Sequence, residues 1–212
     1  MKIAIIAANG KAGKLLTAEA VKRGHEVTAI VRSQANGAKT TAQHTLIKDL
    51  FSLTAEDLHG FDVVISAFGT WTAELLPQTK QHAEHLSDLL AGSDTLVAFV
   101  GGAGSLYLDQ QHTTQLADSA DFPAEYLPVA TAHAETLDYL RGRSDVQWLY
   151  ASPAADFIPD APATGDYVIA GEEFSTGADG TSTVSYADYA AAFLDAIEAG
   201  NYRQQRISVR NR

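Results

Sequence analysis

The sequence predicts an α/β fold of three layers, in which helices cover both faces of a mostly parallel sheet and a small C-terminal extension follows. Short apolar runs alternate with longer amphipathic stretches along most of the 212 residues. The runs are apolar at nearly every position, which is typical of parallel strands buried on both faces. A glycine-containing turn joins the first run to the first helix. The simplest organisation for this length is one domain over residues 1–212.

The individual elements follow from local patterns. Strands are predicted at 3–8, 26–31, 45–50, 61–68, 95–100 and 146–151, and helices at 13–23, 78–91 and 124–141. Residues 167–174 fit a short strand or hairpin, and 206–209 a last strand. Ser185 is typical of a helix N-cap, with Asp188 at the third helical position and Gly200 at the end. We expect these C-terminal pieces at one edge of the same domain, over a cleft.

Composition excludes several classes of protein. There are 15 basic and 26 acidic residues, a net charge of −11, so we expect no nucleic-acid partner. The absence of cysteine removes thiol catalysis and thiolate metal sites. No run approaches the ~18 apolar residues of a membrane helix, and the first residues lack the pattern of a signal peptide. We therefore expect a cytoplasmic protein with no membrane partner.

The stretch IAIIAANGKAGK, residues 3–14, carries the main functional signal. A strand ends, a tight turn follows, and a helix begins, with Ala7-x-x-Gly10-x-x-Gly13 as the spacing. Small residues let the backbone approach a pyrophosphate, and the helix N-terminus offers free amides. This pattern predicts a dinucleotide site that includes Ala7 and Gly13. The alternative is a tight strand–helix turn that binds no ligand.

Arg32 follows the second predicted strand, where an NAD-selective site carries an acidic residue for the ribose hydroxyl. An arginine there accommodates a 2′-phosphate instead. The sequence thus predicts NADP(H) in preference to NAD(H). The alternative is a solvent-exposed arginine at a strand end.

Two further strand ends point to the same cleft, because ligands of open α/β sheets bind at the carboxyl ends of strands. Residues 66–69 read Ser-Ala-Phe-Gly, and residues 100–105 read Val-Gly-Gly-Ala-Gly-Ser. The clustered glycines leave room for a ring system, so Gly101, Gly102 and Ala103 join the predicted cofactor contacts. Each segment alone is also compatible with a loop that binds nothing.

The sequence resembles the atypical short-chain dehydrogenases that include the NmrA-like NAD(P)-binding proteins, and within them the bacterial NADH-flavin reductase group. IAIIAANGKAG, VTAIVR, VGGAGSL and YASPAADFIPD carry the resemblance, which spans essentially the whole chain. It implies a Rossmann core, bound NADP or NAD, and a flavin as substrate. It also implies cofactor contacts from Asn9, Gly10, Lys11, Ala12, Arg32, Asp49, Leu50, Ala67, Phe68, Gly69, Ser152, Pro153 and Ala154.

The chain departs from these dehydrogenases at their catalytic pair, a tyrosine with a lysine four residues later. Tyr126 is followed at that spacing by Ala130, and Tyr139 by Arg143. The usual proton relay between alcohol and ketone is therefore not expected. Hydride transfer to a flavin does not need this relay, because the reduced ring takes its proton from solvent.

A polar side chain could still stabilise charge on the reduced acceptor. The candidates are Ser105, Tyr126 and His133. The alternatives are a helix cap or turn residue for Ser105, an aromatic anchor for Tyr126 and a helix-surface position for His133.

Other constellations are weaker. His82 and His85 lie three apart, but their polar neighbours favour a solvated helix face, and we predict no metal site. Asp156 and Asp160 suggest paired carboxylates for acid–base catalysis, but they lie among prolines, in what we interpret as an irregular loop. Ser152 lacks the glycine-flanked elbow of a serine hydrolase. Trp71 could flank the bound cofactor or substrate, and packing in the core or at the rim is an equal alternative.

The leading hypothesis is an NAD(P)H-dependent oxidoreductase that reduces a small-molecule acceptor such as a flavin or quinone. The second is a non-enzymatic NADP-binding redox sensor, of the NmrA-like kind, that acts through a protein partner. An epimerase is disfavoured because the C-terminal portion is small for a sugar-nucleotide site.

Overall fold

The fold is built on an eight-stranded sheet. The computed structural model describes residues 1–37 and 40–212. Its strands are β1 (Lys2–Ile6), β2 (Glu26–Val31), β3 (His44–Ile47), β4 (Val63–Ser66), β5 (Leu96–Val100), β6 (Gln147–Ser152), β7 (Asp156–Ile158), β8 (Tyr167–Ala170), β9 (Thr183–Ser185) and β10 (Gln205–Asn211). The sheet has the order β3-β2-β1-β4-β5-β6-β10-β8, and β7 pairs with β9 in a separate small sheet. Neighbouring strands are parallel, except that β8 runs antiparallel to β10.

Helices cover both faces of this sheet. They are α1 (Lys11–Lys22), α2 (Gln34–Gly37), α3 (Ala55–Leu58), α4 (Pro77–Leu90), α5 (Leu127–Arg141) and α6 (Tyr186–Ala199). Helices α1 and α6 pack together, and so do α4 and α5. None of the helices in the described part of the chain is long and apolar enough to span a bilayer. The predicted three-layer α/β fold with a mostly parallel sheet is confirmed.

Strand β1 shows why the apolar runs form this sheet. Ile3 and Ile5 belong to the buried cluster shared with α1 and α6, whereas Ala4 and Ile6 belong to the opposite cluster with α4 and α5. Successive side chains of a strand point to opposite faces, so a strand covered on both sides must be apolar throughout. All four of these side chains are at most 2% exposed.

Several boundaries differ from the sequence prediction. A 3₁₀ turn over Ala124–Tyr126 precedes α5, so the predicted helix at 124–141 starts late. Residues 156–160 do not form only an irregular loop, because β7 pairs there with β9. At 167–174 there is one strand, β8, rather than a hairpin. The C-terminal strands β10 and β8 do take one edge of the sheet, as expected.

The turn between β1 and α1 depends on two close contacts. Ala7 adopts a left-handed φ of 56°, and its carbonyl accepts the N–H of Gly10 at 2.8 Å. The same carbonyl blocks any side chain at Gly13, where a Cβ would lie 2.2 Å from the oxygen. Glycine at position 13 therefore lets α1 start directly against the end of β1.

We expect Gly13→Ala to lower the free energy of unfolding by about 1–3 kcal/mol, because backbone must move to admit the methyl group. Gly69→Ala is the matched control, since a Cβ there meets nothing within 4 Å. It should change stability by less than about 0.5 kcal/mol. Urea denaturation measures both. Equal stability of Gly13→Ala and the wild type would contradict this account of the turn.

Candidate nucleotide-binding cleft

A cleft of about 1320 Å³ lies at the carboxyl ends of β1, β4, β5 and β6. This is the edge at which open α/β sheets bind ligands. Sixteen of the predicted cofactor contacts line it: Ala7, Asn9, Gly10, Lys11, Ala12, Arg32, Asp49, Leu50, Ala67, Phe68, Gly69, Gly101, Gly102, Ala103, Pro153 and Ala154. The topology thus gathers segments that are up to about 150 residues apart in sequence, since parallel strands end at a common edge.

Two predicted contacts lie outside the lining. Gly13 is buried, and its place against the Ala7 carbonyl gives it a packing role. Ser152 ends β6 with a fully buried side chain, and its hydroxyl has no hydrogen-bond partner among the described residues. Their neighbours Ala12, Pro153 and Ala154 do reach the cleft.

The N-terminus of α1 is suited to a pyrophosphate. Gly10 caps the helix without a side-chain hydrogen bond, and the first turn has no acidic residue. The first amides of a helix have no partner within it, and its dipole favours an anion at this end. Gly10, Lys11 and Ala12 all line the cleft. A dinucleotide therefore fits this turn on its backbone geometry.

Three basic side chains belong to the first half of the cleft, which we define as the lining residues between 6 and 78: Lys11, Arg32 and Lys48. Lys48 is paired with Asp57, whose pKa that contact lowers to about 2. Arg32 is exposed and forms no ion pair within 1–37 and 40–212. Asp49 is occupied locally, because its carboxylate accepts the N–H of Phe51 at 3.0 Å.

The second half of the cleft, defined as the lining residues between 100 and 186, contains His133 on α5. Its Nδ1 lies 3.0 Å from the hydroxyl oxygen of Tyr150, a fully buried residue of β6. The same hydroxyl accepts the N–H of Gly102 at 3.2 Å. A Cβ on Gly101 would lie 2.3 Å from the Tyr150 ring. The glycines after β5 therefore make room for this histidine–tyrosine pair as well as for a ligand.

Burial lowers the pKa of His133 to about 4 and raises the pKa of Tyr150. Both groups are consequently neutral near pH 7. With Nδ1 held by Tyr150, the imidazole presents Nε2 as its remaining polar atom. The arrangement provides a fixed, uncharged hydrogen-bonding group in the second half of the cleft.

The other two candidate catalytic residues differ in position. Ser105 is buried outside the lining, and its hydroxyl accepts a hydrogen bond from the guanidinium of Arg206 at 3.0 Å. Arg206 is also paired with Glu172 and stands over the ring of Tyr107, so Ser105 anchors the loop after β5. Tyr126 does line the cleft, with 52% of its surface exposed.

Aromatic side chains make up much of the remaining wall. Trp71 lines the cleft and is 70% exposed, so it is a rim residue rather than part of the core. Phe157 and Tyr186 stack with centroids 3.7 Å apart. No sequence pattern selects Phe122, Phe157 or Tyr186, because the contact between Phe157 and Tyr186 depends on β7 and on the start of α6. Flat apolar walls of this kind suit a planar ring.

The histidines of α4 do not form the solvated face that the sequence favoured. His82 is 3% exposed and packs against Phe68 at 5.0 Å between centroids, and burial lowers its pKa to about 4. His85 is half-buried beside Phe51. Over the described ranges, no three histidine or carboxylate side chains gather as metal ligands. His82 instead packs against Phe68, which lines the cleft.

Comparisons with known proteins agree with this geometry. The NAD(P)H-binding family profile matches residues 7–199. The chain is 43% identical over 211 residues to the uncharacterised protein YwnB of Bacillus subtilis, covering 99% of this chain and 98% of that protein. It is 52% identical in sequence to SP1627 from Streptococcus pneumoniae, which is described as a "putative NADH-flavin reductase". The crystal structure of SP1627 matches the present structure with a TM-score of 0.96 over 100% of both chains.

A second solved structure carries a different description. A "putative epimerase" from Bacteroides thetaiotaomicron is 33% identical, with a TM-score of 0.84 over 99% of this chain and 96% of that one. These solved structures share one fold with the chain, and together with the match to the NAD(P)H-binding profile they confirm the resemblance noted in the sequence. The chain belongs to the NAD(P)H-binding family of Rossmann-type proteins.

Proposed function

We propose that the protein is an NAD(P)H-dependent oxidoreductase that reduces a free flavin or a quinone-like acceptor in the cytoplasm. The observation that carries this proposal is that one cleft joins the uncapped N-terminus of α1 to an aromatic wall, which includes Phe157 and Tyr186, and to His133, whose lowered pKa leaves it neutral near pH 7. Membership of the NAD(P)H-binding family and the likeness to SP1627 support the proposal. A bound nicotinamide supplies hydride, which is two electrons and one proton, and the reduced acceptor takes a further proton from water.

The chain's own contribution is positioning and electrostatics. The first half of the cleft holds the nucleotide through the α1 amides and the basic side chains. The lining residues of the second half would hold the acceptor ring beside the nicotinamide and shield the pair from water. Alignment of two reactants in this way supplies a large part of the rate enhancement in such transfers.

Steady-state oxidation of NADPH and NADH by the purified protein, with and without riboflavin or FMN, tests the proposal. We expect flavin-dependent oxidation above the rate without protein, faster with NADPH. Tight NADPH binding without turnover of any flavin or quinone would contradict it. That result would favour the redox-sensor alternative.

The preference for NADPH is proposed from Arg32. This side chain follows β2, lines the first half of the cleft and forms no ion pair within the described ranges. A guanidinium matches phosphate oxygens in charge and geometry. Lys11 lines the same half of the cleft and adds a second positive charge.

We expect Arg32→Asp to weaken NADPH binding at least about ten-fold and to improve NADH binding, because a carboxylate repels the 2′-phosphate and accepts the ribose hydroxyl. Arg203→Asp is the matched control, since it makes the same charge change at an exposed position outside the cleft. Isothermal titration with both cofactors measures the ratio of affinities. An unchanged ratio in Arg32→Asp would overturn the assignment.

We propose His133 as the polar group that faces the reduced acceptor, with Tyr150 as its positioning residue. Its pKa of about 4 makes His133 a neutral hydrogen-bonding group rather than a source of protons at pH 7. A fixed dipole in a desolvated cleft stabilises developing charge more than water does. Tyr126 at the rim is a second group that the acceptor would meet.

We expect His133→Phe to lower kcat for flavin reduction about ten-fold or more, with NADPH affinity nearly unchanged. His133→Gln should recover part of kcat because its amide again offers a hydrogen bond. The ratio of the wild-type to the His133→Phe kcat should be constant from about pH 6 to 8, since a group with a pKa near 4 does not titrate there. A kcat in His133→Phe equal to that of the wild type would remove His133 from the reaction.

A further inference from the structure

The charges of the cleft are divided between its two halves. The lysine and arginine side chains in the lining are Lys11, Arg32 and Lys48, and all three belong to the first half. The lining residues of the second half include the carboxylates Asp121 and Asp156 and no lysine or arginine. His133 adds no charge there near pH 7, because burial holds its pKa at about 4.

Both carboxylates are free to act on a ligand. Asp156 and Asp121 are exposed, and neither carboxylate takes part in an ion pair or hydrogen bond within the described ranges. Asp156 is held in place by its backbone, whose N–H donates to the carbonyl of Ser182 at 2.9 Å. Arg206, a buried cation of β10 outside the lining, is already paired with Glu172.

The N-terminus of α5 does not offset the negative charge of these two carboxylates. A helix N-terminus attracts anions through its free amides. Here Pro128 removes one of those amides, and the exposed carboxylate of Glu125 lies just before the helix. The second half of the cleft therefore offers aromatic surface and negative charge, with no basic side chain to pair with a phosphate.

We infer that the acceptor is an uncharged planar ring compound, and that Asp121 and Asp156 select against acceptors that carry a phosphate. This inference rests on the proposed function and names the class of its acceptor. A phosphate in this half would be repelled by two carboxylates and by the phosphates of the bound cofactor. A neutral flavin or quinone stacks on the aromatic wall without that repulsion.

Riboflavin and FMN provide the test, because they share one isoalloxazine ring and differ by a phosphate. At low ionic strength, with NADPH as donor, we expect kcat/KM for riboflavin to exceed kcat/KM for FMN about five-fold or more. This is the size of effect expected from roughly one repulsive charge pair at the surface. About 0.5 M salt should narrow the difference, since it screens exposed charges. Dissociation constants from quenching of flavin fluorescence, with NADP bound, give the same comparison without turnover.

Substitutions assign the selection to the two carboxylates. Asp156→Asn and Asp121→Asn should each raise the ratio of kcat/KM for FMN to kcat/KM for riboflavin several-fold. Asp160→Asn is the matched control: it removes the same charge four residues from Asp156, at an exposed position outside the lining. It should change neither substrate.

The outcomes separate this inference from the proposed function. Turnover with FMN equal to or faster than riboflavin would leave the oxidoreductase standing and overturn the inference. Absence of turnover with both flavins would count against flavin reduction, while tighter binding of riboflavin than FMN would still support the selection by charge. Binding of neither flavin, or equal binding of both, would overturn the inference.

Discussion

The close approach of α1 to the end of β1 is the constraint on which the cleft depends. Ala7 turns the chain in a left-handed conformation, and Gly13 lies where any side chain would meet the Ala7 carbonyl. The contact brings the open N-terminus of α1 to the edge where β4, β5 and β6 also end. If α1 began farther from β1, its free amides would be directed away from the segments that form the opposite wall.

A second close contact shapes that opposite wall. Tyr150 occupies the space next to Gly101 and holds His133 through its hydroxyl, so the loop after β5 must be made of glycine at this point. Farther along, Arg206 ties the loop to the C-terminal strand through Ser105 and Glu172. The wall facing the proposed nicotinamide is thus fixed by long-range contacts with strands β6 and β10.

The turn between β1 and α1 depends on local contacts, whereas the opposite wall depends on long-range ones, and this difference explains what could be predicted from the sequence. The three-layer fold and the nucleotide turn follow from local order, since a buried strand, a small-residue turn and a helix are contiguous between residues 3 and 22. The role of Ser105 could not be predicted, because the guanidinium that donates to its hydroxyl belongs to Arg206, 101 residues away. The polar neighbours of His82 predict a solvent-exposed side chain, whereas the packing of α4 buries it. The sequence signal for Tyr150 is weak, because its strand also carries the polar side chains of Gln147 and Ser152.

Hydride transfer by the proposed mechanism requires the cleft to hold a nicotinamide in one fixed orientation against an acceptor. NADPH labelled with deuterium at either of the two C4 positions tests this directly, with riboflavin as acceptor and mass spectrometry of the NADP product. A cleft that binds one face of the ring predicts loss of deuterium from one labelled form and full retention in the other. Equal loss from both forms would mean that the flavin is reduced free in solution, which would contradict the account.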